Sequence, residues 1–187
     1  MIFQLPENQI SVWISAFNSR PKDPEELFRI ASEKCPTVSV QLVDLDMVPG
    51  QRYLQLATVN AVKSFHSKQP IAKTLSMELL LYISAEKQIV RALKRVGVTT
   101  ETRRVVGVAV GPSPDISEAA HFLSVMLGQD GDDRLLDEWS RQRIESVRSG
   151  FDIGDKELEA IIHPNETEAM AVERLAVERS AMLAAKK

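Results

Sequence analysis

Residues 9–16, QISVWISA, alternate strictly: Ile10, Val12 and Ile14 fall on one face, and Ser11, Trp13 and Ser15 on the other. That period of two with β-branched residues predicts a strand with one buried face. The preceding residues 1–5 allow a further short strand, which Pro6 limits in length. After a polar turn at 18–23, Asp23 before Pro24 is an N-cap followed by a favoured first helical position, and Leu27, Ile30 and Ala31 supply the apolar stripe of a helix that ends near Cys35, before Pro36. Residues 37–43, TVSVQLV, alternate again and predict a second main strand. In residues 103–110, RRVVGVAV, the alternation is lost, which predicts a strand buried on both faces with Gly107 inside it.

Between these strands, residues 57–96 predict three helices in quick succession. The first begins at Gln51 and carries Leu54, Ala57, Ala61 and Phe65 on one face; the loop SKQPIAK, with Pro70, ends it. The second, TLSMELLLYIS, is capped by Thr74 or Ser76 and is apolar nearly all round, so it is expected to be buried. Glu78 is its odd residue, a carboxylate that needs a partner or an edge position. The third is expected to be capped by Ser84 and to run to Val96, with Ile89, Ala92, Leu93 and Val96 inward and Lys87, Arg91, Lys94 and Arg95 outward. Beyond residue 113 the pattern predicts a helix capped by Asp115 or Ser117, another over 137–148, a short one in KELEAII, and a last amphipathic helix over 166–185 that packs in part or against a partner. The expected fold is α+β: a small mixed β-sheet of about three to four strands surrounded by six to eight helices, as a single compact domain over 1–165 with 166–187 as a loosely packed C-terminal helix.

Composition adds little to this, but charge adds a good deal. The net charge of −3 conceals −2 over residues 1–62, +6 over 63–112 and −7 over 113–187. A basic middle between acidic ends bears on partners rather than on fold. A single cysteine excludes an internal disulfide, residues 1–9 lack the basic and long apolar stretches of a signal peptide, and no apolar run reaches the ~18 residues of a membrane span, so a cytoplasmic protein is expected. The three histidines, 66, 121 and 163, lie far apart, and Asp44 with Asp46 has no further ligand nearby, so no metal is expected; the two aspartates suit a loop or cap. No GxSxG, HExxH, CxxC or phosphate loop in strand–helix context occurs, and no cofactor is expected. An unrecognised enzyme site would have to draw on Asp44, Asp46 and Glu78, which form no set of base, nucleophile or metal ligands by spacing.

The run AVKSFHSKQPIAKTLSMELLLYISAEKQIVRALKRVGV, followed by TRRVVGVAVG, resembles the Cgi-type (TPRKB-like) subunit of the archaeal and eukaryotic KEOPS complex. The matching positions are Asn60, Ala61 and Phe65; Ile71, Ala72, Lys73 and Thr74; Glu78, Leu80, Leu81 and Tyr82; and Ser84, Gln88 and Ile89. The resemblance is close over residues 37–111 and general elsewhere. Ala85 stands where the family pattern has Gly, and Lys87 where it has Arg; lysine keeps the charge but loses the bidentate fork.

The resemblance implies a non-catalytic accessory subunit that binds the complex's atypical kinase/ATPase subunit directly and the other KEOPS subunits indirectly. It also implies recruitment of tRNA by its single-stranded CCA end, for threonylcarbamoyl modification of an adenosine beside the anticodon. Phosphate contacts plus base burial hold such ends. Lys63, Lys68 and Lys73 are expected on one side of the central loop, with Lys87 and Arg91 facing the same groove; Ser76, Glu78 and Gln88 are placed to read base edges or to order that groove. The alternative is a pure protein-interaction module that binds and activates the kinase without touching RNA.

Overall fold

A computed structural model describes residues 1–5, 10–67 and 70–185; Pro6 lies outside them. In chain order the elements are β1 (Ile2–Leu5), β2 (Ile10–Phe17), α1 (Pro24–Lys34), β3 (Ser39–Asp44), α2 (Gln51–His66), α3 (Leu75–Ser84), α4 (Ile89–Val96), β4 (Val105–Pro112), α5 (Ser113–Leu127), α6 (Arg141–Gly150), α7 (Asp155–Ile161) and α8 (Glu168–Ala185). The fold is α+β, with four strands and eight helices among the described residues. The sheet is not mixed: its order is β1-β2-β4-β3, and every pairing is antiparallel.

The chain divides into two units, Met1–Leu45 with Gly97–Leu136, and Asp46–Val96 with Asp137–Lys187. The first holds the sheet. Its central strand β4 pairs with β2 from Ile10↔Pro112 to Phe17↔Val105 and with β3 from Ser39↔Val110 to Asp44↔Val105. Valine at 105, 106, 108 and 110 is buried on both faces, as loss of alternation predicts. β2 behaves the same way. Val12, Ile14 and Ala16 are buried, but so are Trp13 and Phe17, which pack with Leu27, Ala31, Ile116, Ala119 and Leu123 from α1 and α5. The expectation of one solvated face fails because serine at 11 and 15 reads as polar but is small enough to be buried when bonded: Ser11 Oγ lies 2.6 Å from Ser113 Oγ, and Ser15 Oγ donates to Asp133 at 2.6 Å. Gly107 serves a close approach, since a Cβ there would stand 2.9 Å from the Trp13 ring.

Asp23 caps α1 as expected, accepting from the Glu26 N–H at 2.9 Å, with Cys35 buried at the helix end. Burial, with Glu118 nearby, raises the Cys35 pKa and keeps it a packed thiol. Neither Asp115 nor Ser117 caps α5; the helix begins two residues before Asp115, at Ser113, after Pro112. Asp115 instead accepts the Thr37 hydroxyl at 2.5 Å. Asp44 accepts the Thr102 hydroxyl at 2.8 Å.

The second unit is helical. α2 packs against α3 and α8, and α8 also meets α6 and α7. The C-terminal helix, expected to pack only in part, buries Ala171, Val172, Leu175, Ala176 and Ser180. Its alanines permit a close approach that their low hydropathy conceals. α6 starts after Ser140, whose hydroxyl caps it, and not at Asp137, because residues 133–137 form a 3-10 turn.

Candidate functional site

The basic stretch is built around α3. Its last carbonyls lie in the interior, where they need donors, and they receive them from three distant residues. Tyr53 Oη donates to Ile83 O at 2.8 Å and Tyr82 O at 3.2 Å; Ser180 Oγ donates to Tyr82 O at 3.1 Å; Arg95 donates to Ser84 O at 2.6 Å. Burial pushes the Tyr53 phenol far above its ordinary pKa, so it stays a donor. Ser84 is not the cap of the next helix. It is the last residue of α3, its hydroxyl bonded to Leu81 O at 3.0 Å, and Ala85 follows in the left-handed region at φ 53°. That turn delays α4 to Ile89.

At the other end of α3, Thr74 is the cap, and Glu78 is fully buried at 0 % exposure. Its carboxylate accepts from the Ser64 hydroxyl, from Ala72 N–H at 2.7 Å and from Ile71 N–H at 3.3 Å. It fixes the loop to the last turn of α2, leaving Lys63 and Lys73, the sequence neighbours of Ser64 and Ala72, exposed around the same anchor. Ser76 is half-buried, its hydroxyl 3.2 Å from Thr74 Oγ1. Lys68 lies outside the described residues.

Lys87, Gln88 and Arg91 do come together. They line an open groove of about 450 Å3 with Arg95, Arg179 and Met182. Lys63, Lys73 and Ser76 do not line it. Four cationic side chains face two carboxylates, Glu86 and Asp152, so the groove has a positive excess. Arg95, expected to stand outward, is instead paired with Glu86 at 2.6 Å and lies over the Phe151 ring at 5.3 Å. Arg179 pairs with Glu157 at 2.8 Å, and its guanidinium holds the Glu157 carboxyl below the usual range. Lys87 and Arg91 are exposed. A second groove of about 640 Å3 runs along Arg91, Lys94 and Arg95 and the α6 residues Gln142, Glu145 and Ser149.

Sequence reasoning missed Arg179 and Met182, because nothing in α8 marks it as the wall of a groove begun some ninety positions earlier. Besides Arg95, it also misplaced two further residues of α4. Only Ala92 and Val96 are buried; Ile89 and Leu93, expected inward, are 41 % and 48 % exposed. The apolar sector of α4 is wider than its contact with α3, and a helical stripe alone does not say which part is covered.

At the start of α2, Glu173 of α8 accepts the Tyr53 N–H at 3.0 Å, and Asp137 accepts the Gln51 N–H at 3.1 Å. Gly50, at φ 123°, leaves room: a Cβ there would sit 2.7 Å from the Glu173 carboxylate. Burial, with Asp137 nearby, raises the Glu173 pKa.

A family model described as kinase binding protein CGI-121 matches residues 22–183. No curated protein matches the chain. Among the described residues, no helix is long and apolar enough to cross a membrane.

Proposed function

The chain belongs to the CGI-121 family of kinase-binding proteins, and from that premise we propose that it is a non-catalytic accessory subunit of a KEOPS complex. In this reading it binds the complex's atypical kinase/ATPase and recruits tRNA through the single-stranded CCA end, so that a separate subunit modifies the adenosine beside the anticodon. Membership of a kinase-binding family supports the first half. The observation that carries the second is the groove in which Lys87, Gln88 and Arg91 meet Arg95, Arg179 and Met182.

That groove combines what a single-stranded RNA end needs. Lys87 and Arg91 are exposed for phosphates, Gln88 has an amide for a base edge, and Met182, 49 % exposed, offers an apolar surface for a base face. Arg95 and Arg179 are held by their carboxylates, so the groove wall is rigid before RNA arrives and little ordering cost is left for binding. Lys63, in the last turn of α2, and Lys73, on the Glu78-anchored loop, lie outside the groove and are exposed for further phosphates.

The test is a gel shift of the protein with whole tRNA and with the same tRNA lacking CCA, at two salt concentrations. Binding lost on trimming supports a reader of the 3′ end. Equal binding to both, falling steeply with salt, means a nonspecific charge patch. No binding to either favours the pure kinase-binding module.

A further inference from the structure

α4 presents two different surfaces. At ~100° per residue, its buried residues Ala92 and Val96 are followed around the helix by Ile89 and Leu93, then Val90, then Lys94 and Arg91, with Arg95 closing the circle. Both grooves lie on the flank that carries Arg91 and Arg95, and the second also reaches Lys94. The opposite flank carries Ile89 at 41 %, Leu93 at 48 % and Val90 at 80 % exposure. Three large aliphatic side chains, contiguous on a helix of eight residues, are more than the scattered single apolar residue that any surface carries. α4 buries Ala92 and Val96 fully, whereas Val90 is almost uncovered and Ile89 and Leu93 are only about half covered.

We propose that Ile89, Val90 and Leu93, rimmed by Lys94, are the docking strip for the kinase. The occupant is an amphipathic helix of the kinase with apolar residues at i, i+3, i+4 spacing and a carboxylate on the edge that meets Lys94. This rests on the kinase-binding reading above and names the surface that serves it. The charge sign follows from the rim: Lys94 is exposed at the edge shared by the strip and the second groove, and a partner with basic residues there would be repelled. The geometry is that of helix-on-helix recognition, since α4 is ~12 Å long, two turns, and offers its aliphatic residues as a ridge. Because the strip and the RNA groove occupy opposite flanks of one helix, kinase and RNA are held at the same time, and α4 is the element common to both.

The experiment uses the full chain and the purified kinase subunit of the same organism, with affinity measured by calorimetry at low and high salt. A Val90→Glu/Leu93→Glu variant is expected to bind the kinase at least tenfold more weakly, with its thermal melting and its gel shift with tRNA unchanged. Val90→Ser/Leu93→Ser, which adds no charge, is expected to show a smaller loss in the same direction, and it serves if the glutamate variant melts early. Lys94→Glu is expected to weaken binding a few-fold at low salt and hardly at all at high salt. Wild-type affinity in both double variants overturns the strip while leaving the kinase-binding reading intact. No binding by the wild-type chain overturns both. Concentration-dependent self-association of the wild type, abolished in the double variant, overturns the kinase as occupant in favour of a second copy of this chain.

Discussion

The Ala72 N–H donates to the Glu78 carboxylate at 2.7 Å, across six residues of chain, and the same carboxylate accepts the Ser64 hydroxyl from α2. One buried acid therefore closes the loop between two helices. Its carboxylate fills the role that the unmade backbone bonds of the loop would otherwise leave open.

Removing it should be costly. Glu78→Ala leaves the Ser64 hydroxyl and the Ala72 N–H without their acceptor in the interior, and the expected loss is about 3 kcal/mol, read from urea unfolding. Exposed Lys73→Ala, next in sequence to Ala72, should change stability by less than about 0.5 kcal/mol. Equal small effects from both would show that Glu78 does not anchor the loop.

Ala85 takes a left-handed conformation, φ 53°, at the turn between α3 and α4. An L-residue with a Cβ is strained there, and glycine is not. Ala85→Gly should raise stability by about 0.5–1 kcal/mol, less than the full strain because glycine also frees the unfolded chain. A thermal melt that falls instead would mean that the turn is not strained by alanine.

Glu173 should make stability depend on pH in a stated direction. Burial raises its folded pKa above its unfolded one, so the native state holds the proton more tightly. The stabilisation this gives is fully present below the unfolded value of about 4.3 and is lost as pH rises through the folded value. Glu173→Gln keeps an oxygen for the Tyr53 N–H and carries no charge. It should therefore be more stable than wild type at pH 7, with the gap closing as pH falls towards 4. Urea midpoints between pH 4 and 7.5 measure this, and a gap that widens on acidification would reverse the assignment.

The basic residues should divide by their packing. Lys87→Glu and Arg91→Glu are exposed and line the groove, so each should weaken tRNA binding about tenfold at low salt without lowering the melting temperature. Lys73→Glu should weaken it less. Arg95→Ala should lower stability itself, by about 2 kcal/mol, because it removes the donor to Ser84 O and leaves Glu86 unpaired. Gel shifts and melts on the same four variants separate the classes.

The sequence by itself determined most of the elements. Asp23-Pro24 opens α1, the alternation at 9–16 and 37–43 becomes β2 and β3, and the unbroken apolar run of 105–110 becomes the central strand. These signals are local: a cap bonds three residues on, and a strand's period is set by its own pleat. The motif around residues 60–89, which pointed to the family, is likewise contiguous.

What only the tertiary structure decided depends on residues far apart in the chain. Glu78 required a partner by burial, but that Ser64 and Ala72 supply it depends on how α2 and α3 pack. Arg95 reads as one of four outward cations on the third predicted central helix, yet Glu86, Ser84 and Phe151 hold it inward. Ile89 and Leu93 read as core because they share the helix's apolar sector; which part of that sector is covered is fixed by how α4 packs on α3, not by hydrophobicity along the chain. The groove wall from α8 carries no local signature at all, because a cavity is a property of surfaces brought together and not of either sequence alone.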